Sequence, residues 1–277
     1  MKRMNTQSTA TIPGSSVGQN ASAKSAHNPL PVRLWLLPLS LLAGLAAWAF
    51  IAQLGGYPAF ILPSPGAVWA RFLRAAGDGS LVRHTLVTLG EVLAGLGLGV
   101  SVASVLGYGL AKSRAMERLL SPYIVASQAV PVVALAPLLV IWFGPGALSK
   151  ILICALIVFF PVLVNVIVGL RSVEKDLRDL MRSLKATRWQ TFTRLELPAA
   201  LPVLLGGLKI GATLSVIGAV VGEFVGADRG LGFLVNVARG QYDTALVFVA
   251  IFALVLLALA LYGAVSLAER VLLAWRR

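Results

Sequence analysis

The chain reads as an all-α membrane protein, with six transmembrane helices and a charged helical hairpin between the fourth and the fifth. Three observations carry that reading. Of its 277 residues, 58% are apolar and 13% charged, and the mean hydropathy is +0.85, outside the range of ordinary soluble domains. Uncharged apolar runs recur at the length a helix needs to cross roughly 30 Å of hydrocarbon. Between two of those runs, residues 172–202 carry dense charge on an amphipathic pattern.

Taken in order, residues 1–33 are expected to be a disordered cytoplasmic tail, because the first 29 are rich in Ser, Thr, Asn, Gln and Ala and poor in large apolar residues. The apolar run that follows is too long for a signal-peptide core and lacks a small-residue cleavage site. Residues 34–277 form the membrane domain, with spans predicted at 34–54, 92–111, 119–143, 151–170, 203–222 and 244–268. Ser64 and Pro65 form a cap and first-turn pair for a short helix. Its face of Val68, Trp69, Phe72, Leu73 and Ala76 suits either the water–lipid interface or a neighbouring span. Pro131 and Pro137 fall inside the third span and predict a packed kink there, with a gating role as the alternative. The fifth span contains Lys209. A basic residue at a helix centre costs about 3 kcal/mol, which apolar neighbours offset if the side chain snorkels or faces protein.

The hairpin is read from periodicity and caps. Val173, Leu177, Leu180, Met181 and Leu184 lie on one stripe of a helix with charges opposite. The stripe breaks at Lys185 to Thr187, and Thr187 followed by Gln190 has the form of a capping box that starts a second helix. Trp189, Phe192 and Leu195 rebuild an apolar face, and Pro198 and Pro202 are expected to end that helix. Orientation follows from the cations. With the amino terminus inside, seventeen of the 24 Lys and Arg residues fall on the hairpin's side, six on the other, and Lys209 within the membrane. This excess places the hairpin and both termini in the cytoplasm. It also accounts for the net charge of +13 without a nucleic-acid footprint, since no basic stretch is interleaved with exposed aromatics.

Enzymatic chemistry finds no constellation. The two histidines, His27 and His84, are far apart, and no His, Cys or carboxylate group has metal-ligand spacing, so neither catalytic nor metal-binding residues are assigned. The single cysteine, Cys154, excludes an intrachain disulfide. The dipeptide Gly-Lys, obligatory in a phosphate-cradling P-loop, is absent, so no cofactor is expected in this chain and ATP use would require another polypeptide. An ion-coupled secondary transporter would use membrane carboxylates, and Glu91 and Glu223 are the candidates. Both stand at predicted span ends, where a helix-end or interface charge is the simpler role. A membrane scaffold without transport is a third reading.

The stretch SLKATRWQTFTRLELPAALP resembles the cytoplasmic coupling loop of the permease subunits of bacterial ABC importers. LPSPGAVW near residue 62, VPVVALAPLLVIWFG at 130–144, LSKILI at 148–153 and VVGEFVGADRGLGFL at 220–234 are similar to the nitrate, sulfonate and taurine permease family. Within that family, AVPVVALAPLLVIWFG and GEFVGADRGLG look most similar to the branch for vitamin precursors such as hydroxymethylpyrimidine or riboflavin.

The resemblance implies a type I ABC importer permease fold in the bacterial cytoplasmic (inner) membrane. It also implies pairing with a second copy of the chain, two ATPase subunits that hold ATP and Mg, and a periplasmic or lipid-anchored solute-binding protein. ATPase coupling maps to Asp179, Leu180, Ser183, Leu184, Lys185, Ala186 and Thr187. Asp228 and Arg229 are candidate docking residues for the binding protein. Gln128, Asn165, Ser215 and Glu223 are polar groups in or at the end of spans and are candidates for the translocation pathway, with interhelical packing as the alternative. Two departures stand out. Asp179, Leu180 and Met181 replace the family's Glu-Ala-Ala, and Lys185 replaces its turn glycine. A lysine at positive φ costs roughly 1 kcal/mol, so the turn is expected to approach a continued helix.

Overall fold

The computed structural model describes residues 30–276, and every regular element among them is helical. The helices are α1 (Leu30–Leu54), α2 (Pro65–Gly77), α3 (Ser80–Lys112), α4 (Arg114–Gln128), α5 (Val132–Phe143) and α6 (Ala147–Arg171). They continue as α7 (Lys175–Ser183), α8 (Arg188–Thr191), a π-helical turn (Phe192–Glu196), α9 (Leu197–Gly226), α10 (Leu231–Gly240) and α11 (Thr244–Leu272). The predicted tail falls mostly outside the described residues, and α1 already begins at Leu30, inside its expected boundary. Residues 1–46 and 47–277 form two units. In the first, the described chain is the leading part of α1; the second holds the remainder.

Four helical stretches are long and apolar enough to cross a membrane: α3, α6, the continuous run Arg188–Gly226 and α11. The predicted third span, 119–143, is interrupted at Pro131 as expected, but by a full break rather than a kink within one helix: α4 and α5 meet at an angle of 88°. Pro131 explains the break, because it cannot donate to the preceding turn and pushes Val130 out of helical geometry. Pro131 then serves as the N-cap of α5, its carbonyl accepting from Ala134 N at 2.8 Å.

Helix α6 is the centre of the second unit, flanked by α3 and α9. The packing is close because glycines recur four residues apart at 95/99 on α3 and at 207/211 and 218/222 on α9. A Cβ on Gly218 would lie 2.8 Å from Cys154 Cα, and one on Gly99 would lie 2.8 Å from Ala155 O. Where lipid is as apolar as leucine, such backbone proximity supplies the dispersion that holds spans together. A second cluster joins α10 and α11 to α2, α3 and α9 through Val68, Leu231, Leu234, Leu246 and Val249.

Both locally encoded starts form as expected. Ser64 Oγ accepts from Ala67 N at 3.2 Å, with Pro65 opening α2. This helix uses two faces: Val68 and Ala75 are buried while Trp69 and Leu73 stay exposed, and Arg71 pairs with Asp243 at 2.7 Å. After α2, Asp78 accepts from Ser80 N at 2.8 Å, and Ser80 holds its carboxyl below the usual carboxylate range. Lys209 faces protein. It pairs with Glu269 on α11 and sits 5.8 Å from the Tyr262 ring centroid, so the cost of a cation at that depth is met by a counter-ion.

Candidate functional site

The hairpin is built by two caps back to back. Helix α7 ends in a Schellman turn: Ala186 N donates to Met181 O at 3.0 Å and Lys185 N to Arg182 O at 2.9 Å, with Lys185 at φ +51°. The expectation of a near-continuous helix is therefore corrected. The lysine adopts the left-handed conformation usual for glycine, because two hydrogen bonds to otherwise unpaired carbonyls offset the steric cost. Immediately beyond, Thr187 and Gln190 close the expected capping box, with Thr187 N donating to Gln190 Oε1 at 2.8 Å and Gln190 N to Thr187 Oγ1 at 3.2 Å.

One apolar stripe does not pack. Val173 is buried, but Leu180 is 54% exposed, Leu184 67% and Trp189 71%. Large apolar side chains displayed at the tip of a charged hairpin form an unpartnered contact face. Asp179 pairs with Arg182 at 3.1 Å, Ser183 Oγ donates back to Asp179 O, and Lys185, Ala186 and Thr187 lie in the turn between the two helices.

The tip is tied firmly to the spans. Arg178 donates to Leu170 O at the end of α6 at 2.5 Å, and Lys112 at the end of α3 pairs with buried Glu196 at 2.6 Å. Phe192 packs edge-on to Tyr108 with ring centroids 5.2 Å apart. Pro198 and Pro202 do not end the second helix, contrary to expectation. The π turn widens the backbone just before Pro198, Leu197 N reaching Phe192 O, so the chain absorbs the missing amide and continues into α9. Tip and span are one helix from Arg188 to Gly226.

At the far end of α9 lies a polar knot. Glu223, 1% exposed, accepts from Thr88 Oγ1 at 2.6 Å and from Gly232 N, while Thr88 Oγ1 accepts from Leu231 N at 2.8 Å and His84 Nδ1 from Gly230 N at 3.0 Å. Gly230, at φ +115°, lies against the Glu223 carboxyl with no room for a Cβ. Lys150, also buried, donates to Pro145 O at 2.8 Å and stands 3.9 Å from Glu91, whose second oxygen has no partner. Glu91 and Glu223 are thus not interface charges at span ends: both are buried, Glu223 holding the first turn of α10 together with Thr88 and Glu91 facing Lys150 of α6. Sequence reasoning missed this knot because its members are distant in sequence, although the glycines of GEFVGADRGLG were a signal. Asp228 and Arg229 project beyond it, exposed and 3.6 Å apart.

The remaining polar candidates separate. Gln128 is exposed at the end of α4, beside the break. Asn165 donates to Pro161 O at 2.8 Å and fills the space left by Gly207. Ser215 is fully buried and donates to Ala212 O, an interhelical packing position.

Known proteins share this architecture. The family described as binding-protein-dependent transport system inner membrane component matches residues 95–272. The riboflavin transport system permease protein RibX of Chloroflexus aurantiacus is 48% identical over 239 residues, covering 86% of this chain and 89% of its own. The formylaminopyrimidine transport permease protein ThiX of Halalkalibacterium halodurans is 36% identical over 254 residues, covering 92% and 99%. The taurine transport system permease protein TauC of Escherichia coli is 32% identical over 252 residues, covering 89% and 92%. Among solved structures, an inward-facing MetNI methionine ABC transporter superposes with a TM-score of 0.63 at 20% identity, over 71% of this chain and 98% of that one.

Proposed function

We propose, from the premise that this chain belongs to the family of binding-protein-dependent transport system inner membrane components and is an ABC importer permease, that its cargo is a small heteroaromatic vitamin or vitamin precursor. The gradient of likeness supports the cargo. Identity is 48% to a riboflavin permease and 36% to a formylaminopyrimidine permease, against 32% to a taurine permease. None of these relatives supports the ion-coupled alternative.

The mechanism rests on one observation: of the exposed face of Leu180, Leu184 and Trp189, Trp189 is carried on the helix that runs without a loop into α9, while Leu180 and Leu184 end α7, joined to that helix only by the turn at Lys185–Thr187. A separate pair of ATPase subunits, holding ATP and Mg, docks on that face. Their closure displaces α9 as a rigid body and switches the pathway between inward- and outward-open arrangements. Two copies of the chain line the pathway, each supplying one hairpin. Each copy crosses the membrane six times, at α1, α3, the broken pair α4–α5, α6, α8–α9 and α11, with both termini and the hairpin in the cytoplasm. Gln128 and Asn165 are the polar groups assigned to the pathway; Ser215 and Glu223 serve packing instead. Asp228 and Arg229 face a solute-binding protein on the outer side.

Reconstitution with a partner ATPase and solute-binding protein tests both parts. Riboflavin or a pyrimidine precursor should accumulate in vesicles in an ATP-dependent manner, in preference to taurine. Uptake that persists without the ATPase and follows a proton or sodium gradient would overturn the mechanism, and preferential taurine uptake would overturn the cargo.

A further inference from the structure

Between the hairpin and the end of α3 lies a cleft of about 690 Å³, lined by Lys112, Arg178, Arg182, Arg188, Glu196 and Tyr108 among others. Four cations and one carboxylate converge there from three elements. The carboxylate is already committed, since Glu196 is bound by Lys112. Three guanidinium groups remain. Arg182 is shared with Asp179; Arg178 is fixed by its bond to Leu170 O, yet its Nε is buried without any partner; Arg188 makes no side-chain hydrogen bond or ion pair among the described residues. A topological excess of positive charge requires cations on this side but not their convergence on one concavity, nor a guanidinium held there with a donor unused.

We propose that this cleft binds a phosphate-bearing anion that bridges the hairpin to the inner end of α3. Guanidinium groups recognise phosphate through paired, charge-assisted hydrogen bonds. A cleft partly walled off from water strengthens those bonds relative to an open surface. The ligand would hold together the two elements between which the hairpin's motion passes, and so tune coupling. That last consequence rests on the permease reading; the binding itself does not. Two sources share the chemistry: a soluble cytosolic phosphate compound, or the headgroup of an anionic phospholipid in the adjoining leaflet.

The test uses the full chain in nanodiscs of phosphatidylcholine, titrated with pyrophosphate by calorimetry. Pyrophosphate should bind with an affinity that falls as salt rises, and Arg188→Gln, at an exposed side chain without structural partners, should weaken it about ten-fold. Arg83→Gln, at the opposite end of α3, should leave it unchanged. Nanodiscs that also contain phosphatidylglycerol distinguish the sources by native mass spectrometry. Lipid retained by the unmodified chain and lost from Arg188→Gln identifies the headgroup, whereas equal retention alongside weakened pyrophosphate binding identifies a soluble ligand. Absence of any binding by the unmodified chain, or equal binding by Arg188→Gln, overturns the proposal, as does a matching loss in Arg83→Gln. Because neither measurement involves transport, failure here leaves the permease assignment intact, and failure of uptake leaves this one intact.

Discussion

The α3–α6–α9 core and the hairpin at 175–191 are opposite solutions to the same problem of placing apolar residues. In the core, glycines let backbones approach until an added Cβ on Gly218 would lie 2.8 Å from Cys154 Cα. On the hairpin, Leu184 and Trp189 stand in the open, Leu184 at the C-cap of α7 and Trp189 with Phe192 beside its ring. The core spends its small residues on rigidity, and the hairpin keeps its large ones unpartnered. The proposed mechanism needs both, because force received at a free face is useful only if the helices behind it do not deform. The polar knot around Glu223 extends the rigid region to the far end of α9.

The sharpest way to break this contrast is to overfill the core. Gly218→Leu should cost at least 1–3 kcal/mol by overpacking and abolish monodisperse protein on size-exclusion chromatography. Gly206→Leu, where nothing lies within 4 Å of the built Cβ, should not. Equal profiles would show that the close contacts are not what holds α9.

On the hairpin the pattern should reverse. Leu184→Glu should leave expression and thermal stability within about 0.5 kcal/mol, as for exposed positions generally, while reducing stimulation of the partner ATPase by loaded binding protein at least about ten-fold. Retained stimulation would remove Leu184 from the docking face. Glu223→Ala leaves the buried Gly232 amide without its acceptor and Thr88 with only the His84 carbonyl, so a loss of about 1–3 kcal/mol is expected. Hydrogen exchange should locate that loss in α10, and unchanged protection there would refute its anchoring role. Smallest of all, Lys185→Gly should relieve the left-handed strain and stabilise the hairpin by about 1 kcal/mol, slowing exchange of the Ala186 amide about five-fold.

What the sequence revealed was what is local. Ser64 with Pro65 and Thr187 with Gln190 are readable because cap and capped amide lie within three residues. The apolar runs are readable because hydrocarbon thickness sets their length. Pro131 announced a disturbance, but the 88° turn depends on what α5 packs against. Lys185 was misjudged because its local cost was visible and the two hydrogen bonds offsetting it were not. Pro198 was misjudged for a related reason, since a widened turn can accommodate a proline that an α-helical turn would reject. The knot of Glu91, Lys150, Glu223 and Thr88 was illegible because its members come from three helices far apart in the chain.

The π turn at Phe192–Glu196 makes α8, the second helix of the hairpin, and α9 share a single rotational phase. Each residue of a helix advances about 100°, so inserting or deleting one residue there would swing the glycine edge of α9 away from α6 even with every side chain in the tip preserved. Chimeras that graft a foreign tip onto this permease should therefore tolerate wide changes in side-chain identity and almost none in length.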